Sequence, residues 1–302
     1  MKTSSVKEYE TRLLRVLEHI DANLTDPSSL QELASIAHFS PFHFHRIFKG
    51  MTGETIGGYI RRRRLEVAGE QLVSQDHSVT CVAFDAGFEN SESFSRAFKI
   101  HFGMSPSQYR ITGKSLMTSR ALKAARLGML HSQARALAHY MATEGRRTMF
   151  DVEIKNIPEI HVASMRHTGP DNECGAAFEQ LCSKAAQDNL FRQDTVSMSI
   201  CYDDPHSVEA EKLRCDVCIT LPEDTTVTAP MQRKTIPAGD YAVALHKGSY
   251  DGLQAAYDWL FGQWLPHSGR EATDENSIEV YLTDPSTTRP EDNLTEIRIP
   301  LV

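Results

Sequence analysis

The chain has 302 residues, 40% hydrophobic and 24% charged, and a formal net charge of -8. That is the composition of a globular protein with room for two or three domains, and it contains no run of about 18 apolar residues that could span a membrane. The opening stretch "MKTSSVKEYETRLLRVLEHI" carries acids and no continuous apolar core, so no secretory leader is read there. The six scattered cysteines are expected to be reduced thiols of a cytoplasmic protein.

Charge is unevenly placed. Residues 1–110 hold 13 basic and 13 acidic side chains, residues 111–150 seven and one, and residues 151–302 twelve and 26. A neutral segment followed by a basic one can meet DNA; the acidic half would repel it and attract cations.

In chain order, "TRLLRVLEHIDANL" (11–24) opens as an amphipathic helix. A repeat follows. "LASIAHFSPFHFHRIFKGMTGETIGGYIRRRRL" matches "VAFDAGFENSESFSRAFKIHFGMSPSQYR" at an offset of 49 through Phe39/Phe88 and of 50 from Phe44/Phe94 onward. One residue inserted in a turn, with identity resumed beyond it, marks two copies of one helical unit. Each copy reads as a short helix, a tight turn and a second helix. Leu30, Leu33, Ala34 and Ala37 line the first face; Phe44, Ile47 and Phe48 line the second. A long helix over 55–73 joins the copies. Such helix pairs form the unit whose second helix can enter a major groove.

The outward positions of those second helices are Pro41, Phe42, His45, Arg46 and Lys49 in copy one. In copy two they are Asn90, Ser91, Glu92, Ser95, Arg96 and Lys99. Arg46 and Arg96 are equivalent and suit phosphate or guanine O6/N7, while Asn90 or Ser91 could equally cap the helix. The run Arg61–Arg64 is divided at helical spacing between phosphate, acidic neighbours and solvent. Residues 111–150 are expected to form a basic helical linker.

A second repeat occupies the acidic half. "IPEIHVASMRHTGPDNECGAAFEQLC" matches "IPAGDYAVALHKGSYDGLQAAYDWLF" at an offset of 79, and each copy is followed by a strand ending in Asp-Pro and a final apolar strand. Two strand–helix–strand–strand units predict one mixed or antiparallel sheet with two helices and a groove on a pseudo-twofold axis. His167 and His246 are expected to hold strand ends, and Cys215 and Cys218 to fill core or surface positions of a strand instead of binding metal. In "SIEVYLTDP", Glu279 and Tyr281 alternate with Ile278, Val280 and Leu282. With the apolar set facing the helices, Glu279 and Tyr281 look into the groove. A carboxylate among rings suits a lipophilic cation, with Phe178, Tyr257, Trp259 and Trp264 as walls. A solvated Glu279 is the plain alternative. No metal, phosphate-loop or Ser-His-Asp pattern stands out, and no cofactor is expected.

Two resemblances rest on these residues. Residues 8–110, through "A…FS…F.R.FK…G…..YI..RRL" and "A..AGF.....F.R.FK..FG.SP..YR", resemble the DNA-binding domain of AraC/XylS transcription regulators. That implies seven helices and two reading helices set in adjacent major grooves. The implied contact positions are Phe42, His45, Arg46, Ser91, Glu92, Ser95 and Arg96. Phe42 and His45 stand where close relatives carry Trp and Gln, which alters the base sequence preferred. Residues 151–302, through "AGDYAVALHKGSYDGLQAAYDWL", "IEVYLTDP" and "TEIRIPL", resemble the GyrI-like effector-binding domain, whose glutamate falls on Glu279. The domain order is similar to that of Rob-type regulators.

The expected architecture is therefore multidomain. An all-α double helix-turn-helix domain (1–110) precedes a basic linker (111–150) and an α+β GyrI-like domain (151–302). The expected function is DNA-binding transcription regulation under a small cationic amphipathic effector. Double-stranded DNA, the effector and RNA polymerase are the expected partners, and the protein is expected to be a monomer or weak dimer with no membrane contact. The alternative is a small-molecule hydrolase or drug-sequestering protein using Glu279.

Overall fold

A computed structural model describes residues 4–117, 150–205 and 207–302. The linker expected over 111–150 lies beyond residue 117 outside the described residues, apart from Phe150. No helix among the described residues is long and apolar enough to cross a membrane.

Among the described residues, the N-terminal part holds seven helices: α1 (Ser4–Ala22), α2 (Leu30–Ala37), α3 (Pro41–Thr52), α4 (Ile56–Ser74), α5 (Val79–Asp85), α6 (Ser91–Phe102) and α7 (Pro106–Met117). Local chemistry sets their ends. Ser29 and Glu32 close a reciprocal capping box on α2, Thr55 caps α4 and Ser78 caps α5; each satisfies N–H groups that a helix start leaves unpaired. Gly103 ends α6 in the left-handed conformation, φ 74°, which glycine adopts without a Cβ penalty. Pro41 suits the first turn of α3, where no N–H is needed.

The α5–α6 pair is built around Phe94, Ala97 and Phe98 from α6 and Val82, Ala83 and Ala86 from the α5 segment, packed on Leu65, Ala68 and Leu72 of α4. Phe98 stacks among Phe94, Phe102 and Tyr109 with ring centroids 5.4, 4.4 and 5.3 Å away. The basic run is largely internal bracing. Arg62 pairs with Glu54 and Glu66, Arg63 with Asp21 and Glu66, and Arg64 donates to the Leu24 and Gly87 carbonyls. Arg61 is exposed.

The C-terminal part is an eight-stranded, wholly antiparallel, curled sheet. Its strands are β1 (Val152–Ile157), β2 (Ile160–Thr168), β3 (Ser197–Cys201), β4 (Arg214–Leu221), β5 (Gln232–Ile236), β6 (Gly239–Lys247), β7 (Ser277–Tyr281) and β8 (Leu294–Leu301). Their order is β1-β6-β8-β7-β3-β4-β2-β5. Helix α8 (Cys174–Gln187) follows β2. Helix α9 (Leu253–Trp259) follows β6 and continues through a π turn, Leu260–Trp264, into α10 (Leu265–Ser268).

Each repeat has one strand more than the sequence pattern predicts. The extra strands exchange partners: β1 of the first repeat pairs with β6 of the second, and β5 of the second with β2 of the first. The repeats meet at β3 and β7, where Ser199 and Glu279 are direct register partners. These are equivalent residues when the two Asp-Pro strand ends are aligned, so the pseudo-twofold axis passes between them.

One face of the sheet carries Ala163, Cys215, Val217 and Ile219 against Leu181 and Ala185 of α8. The other face has its own core of Val162, Met198, Ile200, Cys218, Tyr241, Val243, Ile278 and Val280, reaching edge strands through Ile157 and Ile236. This corrects the expected orientation of β7. Ile278 and Val280 point away from the helices, so Glu279 and Tyr281 lie on the helix-bearing face. Leu282, past the strand end, is exposed. His167 and His246 do tie strand ends, each ring approaching a carbonyl (Pro170 and Ser249) at 3.0 Å.

The described residues form two compact units. One contains residues 7–39 and 51–117; the other joins Ser40–Gly50, the body of α3, to the C-terminal sheet and its helices.

Candidate functional site

On the helix-bearing face, Glu279 is half-buried at the centre of an aromatic cluster. The Tyr257 hydroxyl, from α9, donates to Glu279 Oε1 at 3.1 Å, and the Tyr281 hydroxyl donates to Oε2 at 3.0 Å. Tyr281 Oη also lies 3.0 Å from Ser199 Oγ, the symmetry-related position on β3. Phe178 and Tyr250 pack edge-on against the Tyr281 ring, at 5.6 and 5.5 Å.

Burial holds the Glu279 carboxyl above its ordinary pKa; the two tyrosine hydroxyls, Cys201 and the charge of Arg46 oppose that without cancelling it. The tyrosine hydroxyls are themselves driven far above their ordinary range by burial and by the Glu279 charge, so they remain donors. The Cys201 and Cys174 thiols are raised by burial and by the Glu279 charge, so they stay protonated. The result is one carboxylate in a ring-lined site where the tyrosine hydroxyls and the thiols are neutral and the Arg46 guanidinium supplies positive charge.

Of the six effector residues predicted, Glu279, Tyr281, Tyr257 and Phe178 come together. Trp259 instead packs on Phe150, ring centroids 5.7 Å apart. No contact of Trp264 with the cluster is seen among the described residues. Tyr250, Ser199 and Cys201 were missed. Alignment of the two Asp-Pro strands would have singled out Ser199 and Cys201 as the partners of Glu279 and Tyr281.

Because the native carboxyl has a raised pKa, folding at neutral pH leaves a costly charge inside. That cost is absent below the unfolded value near 4.5 and grows as pH rises through the native value. Glu279→Gln should therefore melt higher than wild type at pH 7–8, with the difference closing as pH falls towards 4.5, as calorimetry across pH would show.

The two second helices present different faces. On α6, Arg96 is 73% exposed and pairs with Glu92 at 3.0 Å, one turn apart, and Lys99 is exposed. Asn90 is the helix cap: its side-chain oxygen accepts the Ser93 N–H at 2.8 Å. The Ser95 hydroxyl donates to the Ser91 carbonyl at 2.7 Å.

On α3 the expectation of an open face is corrected. His45 and Arg46 are only 5% and 6% exposed, because this helix lies on the C-terminal domain. His45 Nδ1 is 2.8 Å from Asp204 Oδ2. The Lys49 ammonium is 2.8 Å from Asp258 Oδ2, and Arg46 Nη2 donates to the Asp203 carbonyl at 3.2 Å. Phe42 stays exposed. His43 stacks on Phe261 at 5.0 Å, and burial, with the Arg46 charge, lowers its pKa to about 4.

Elsewhere, His77, Cys81 and Asp85 bring ligand-type atoms within 4.8 Å of one another around α5. Cys215 and Cys218 fall on opposite faces of β4 and do not converge.

Comparison with known proteins gives two family matches. Residues 150–302 match the GyrI-like small molecule binding domain, and residues 33–111 match a helix-turn-helix domain. The chain is similar to the uncharacterized HTH-type transcriptional regulator YbfP of Bacillus subtilis, 36% identical over 102 residues, which are 34% of this chain and 35% of YbfP. It is similar to the HTH-type transcriptional activator AarP of Providencia stuartii, 35% identical over 32% of this chain and 72% of AarP. It also resembles the multiple antibiotic resistance protein MarA of Escherichia coli, 33% identical over 32% of this chain and 76% of MarA. The chain thus spans about a third of the length of YbfP and about three quarters of AarP and MarA. Among solved structures, the C-terminal domain of EcmrR aligns with TM-score 0.46 at 21% identity, over 51% of this chain and 99% of that one. The chain belongs to the AraC/XylS-type helix-turn-helix transcriptional regulators and carries a C-terminal GyrI-like small molecule binding domain.

Proposed function

We propose that the protein reads specific DNA through α3 and α6 and regulates transcription in response to a lipophilic cation bound at Glu279. The observation that carries the effector half is the pair of tyrosine hydroxyls fixed on one half-buried carboxylate. Rings supply apolar area and attraction for a cation's charge, and the carboxylate supplies the countercharge. An anionic amphipath would meet that carboxylate inside a strongly acidic domain. The DNA half is supported by the repeat, by the exposed Arg96, Glu92 and Lys99 on α6, and by the match to transcriptional regulators. Phe42, His45, Arg46 and Lys49 are the proposed readers on α3, and Asn90, Ser91, Glu92, Ser95, Arg96 and Lys99 those on α6. The chain is a regulator of this family, not an enzyme. RNA polymerase remains the proposed protein partner.

The test uses a duplex selected from random sequence by the full chain. Arg96→Ala should weaken binding about 5- to 100-fold and flatten the dependence of log Kd on log salt concentration if its contact is to phosphate. Undiminished affinity for the selected duplex would remove α6 from the reading surface. Tetraphenylphosphonium should raise the melting temperature of the wild type and shift that of Glu279→Gln far less at the same concentration. No shift across a panel of lipophilic cations would discard the effector reading.

A further inference from the structure

The helix α3 is seated against the C-terminal sheet and helices so that its Arg46 side chain stacks on the aromatic rings beside Glu279. The Arg46 guanidinium carbon lies 4.1 Å from the centre of the Tyr257 ring and 5.9 Å from that of Phe261. Tyr257 is the residue that donates to Glu279, and the positive charge of Arg46 is felt at the Glu279 carboxyl. Arg46 is thus a cation supplied in cis, buried and stacked on the ring whose hydroxyl donates to Glu279. Its Nη1 is buried without a hydrogen-bond partner, so the guanidinium is held more by rings and charge than by a dedicated hydrogen-bonding cradle. The hollow left beside it, lined by Phe42, His43, Cys201, Tyr202, Asp203 and Ser277 among others, holds about 10 Å³, room for one water. Drug-sized ligands need sites of about 300 Å³ or more, so a ligand could not share this space with α3.

The seat itself is shaped for the helix. A Cβ on Gly50 would stand 2.5 Å from Gly262 Cα and 2.9 Å from the Asp258 carbonyl oxygen, and a Cβ on Gly262 would stand 2.4 Å from the Gly50 carbonyl. The two backbones touch where α9 loosens into its π turn, a distortion often found at functional positions. The helical unit does not require glycine there. In the second copy the position equivalent to Gly50 is Ile100, which is 78% exposed. Glycine is therefore explained by close approach to Gly262 and not by the fold of the repeat. His45–Asp204 and Lys49–Asp258 pair basic residues of α3 with acids of the domain on either side of Arg46.

We propose that α3 is an internal competitor for the effector site: docked, its Arg46 fills the site and its His45 and Arg46 are withdrawn from DNA; a lipophilic cation that takes the site releases the helix. This rests on the reading of Glu279 as a cation site. Two ligands that exclude each other weaken each other equally. The cation's apparent affinity is therefore lowered by the fraction of molecules with α3 docked.

The test measures two quantities in the full chain: reaction of Arg46 with phenylglyoxal, followed by peptide mass spectrometry, and the Kd for tetraphenylphosphonium. Gly50→Ile installs the side chain that the second copy already tolerates and prevents the close approach. Asp258→Lys, which repels Lys49, is an independent second route to the same release. In the wild type Arg46 should be protected and should become reactive on saturation with the cation. In both variants Arg46 should react without the cation, and the cation should bind at least about threefold more tightly. If the cation binds the wild type and Arg46 stays protected, the competition is overturned while the cation site stands. If Arg46 reacts equally in the wild type and both variants before any ligand is added, docking is overturned, again leaving the site intact. If the cation binds none of the three proteins, the site reading fails and the competition with it.

Discussion

Phe98→Ala should unfold the second helical pair: the expected loss is about 3–5 kcal/mol, the range for deleting a fully buried phenylalanine. Phe98 has no exposed surface and lies in a ring cluster with Phe94, Phe102 and Tyr109. Truncation leaves three rings facing a void that helix ends on α6 and α7 cannot easily close. The loss is comparable to the whole stability of an ordinary domain of this size, so urea melts followed by circular dichroism should show an early transition in the helical part. The β-sheet transition should stay where it is in wild type. A midpoint unchanged within about 0.5 kcal/mol would mean that this core does not hold the pair together.

The second large effect is on the ligand. Glu279→Gln keeps the shape of the site and an acceptor for the tyrosine hydroxyls, but removes the negative charge that Tyr257 and Tyr281 hold. Removing one member of a desolvated charge pair costs about 2 kcal/mol or more, so tetraphenylphosphonium should bind on the order of 30-fold more weakly. Trp259→Phe is the control. Trp259 packs on Phe150, and the variant should bind like wild type by titration calorimetry. Equal weakening in both variants would mean that the cation sits elsewhere.

The double repeat makes most of the architecture readable in the sequence. The one-residue change of offset located the turn between α5 and α6, and the Asp-Pro ends located β3 and β7. The strands β1 and β5 were not legible because "VEIKNI" and "QRKTI" are short and largely exposed, with their only buried residue at the last position. A polar edge strand gives little alternation to read. Alternation does not fix the orientation of β7 either: both faces of this sheet are packed, so an apolar set on a strand need not face the helices.

The site was legible in part. Glu279 and Tyr281 follow from alternation, and Tyr257 and Phe178 are equivalent residues in the two repeats. As aromatic walls the tryptophans read no differently from these two, and Trp259 turns to a different neighbour, Phe150. The burial of α3 could not be read from its own pattern, because a polar helix face has the same sequence whether it meets water, DNA or an acidic domain. The informative residue was Gly50, small where its counterpart is Ile100, and its meaning needed the position of Gly262.

The most direct test of the account is the affinity of the full chain for its selected duplex, measured with and without saturating tetraphenylphosphonium, in wild type and in Glu279→Gln. The cation should tighten wild-type DNA binding at least about threefold, the same factor by which undocking tightens the cation, and leave the variant unchanged. Wild-type DNA affinity that ignores a bound cation, or a variant that responds as the wild type does, would contradict it.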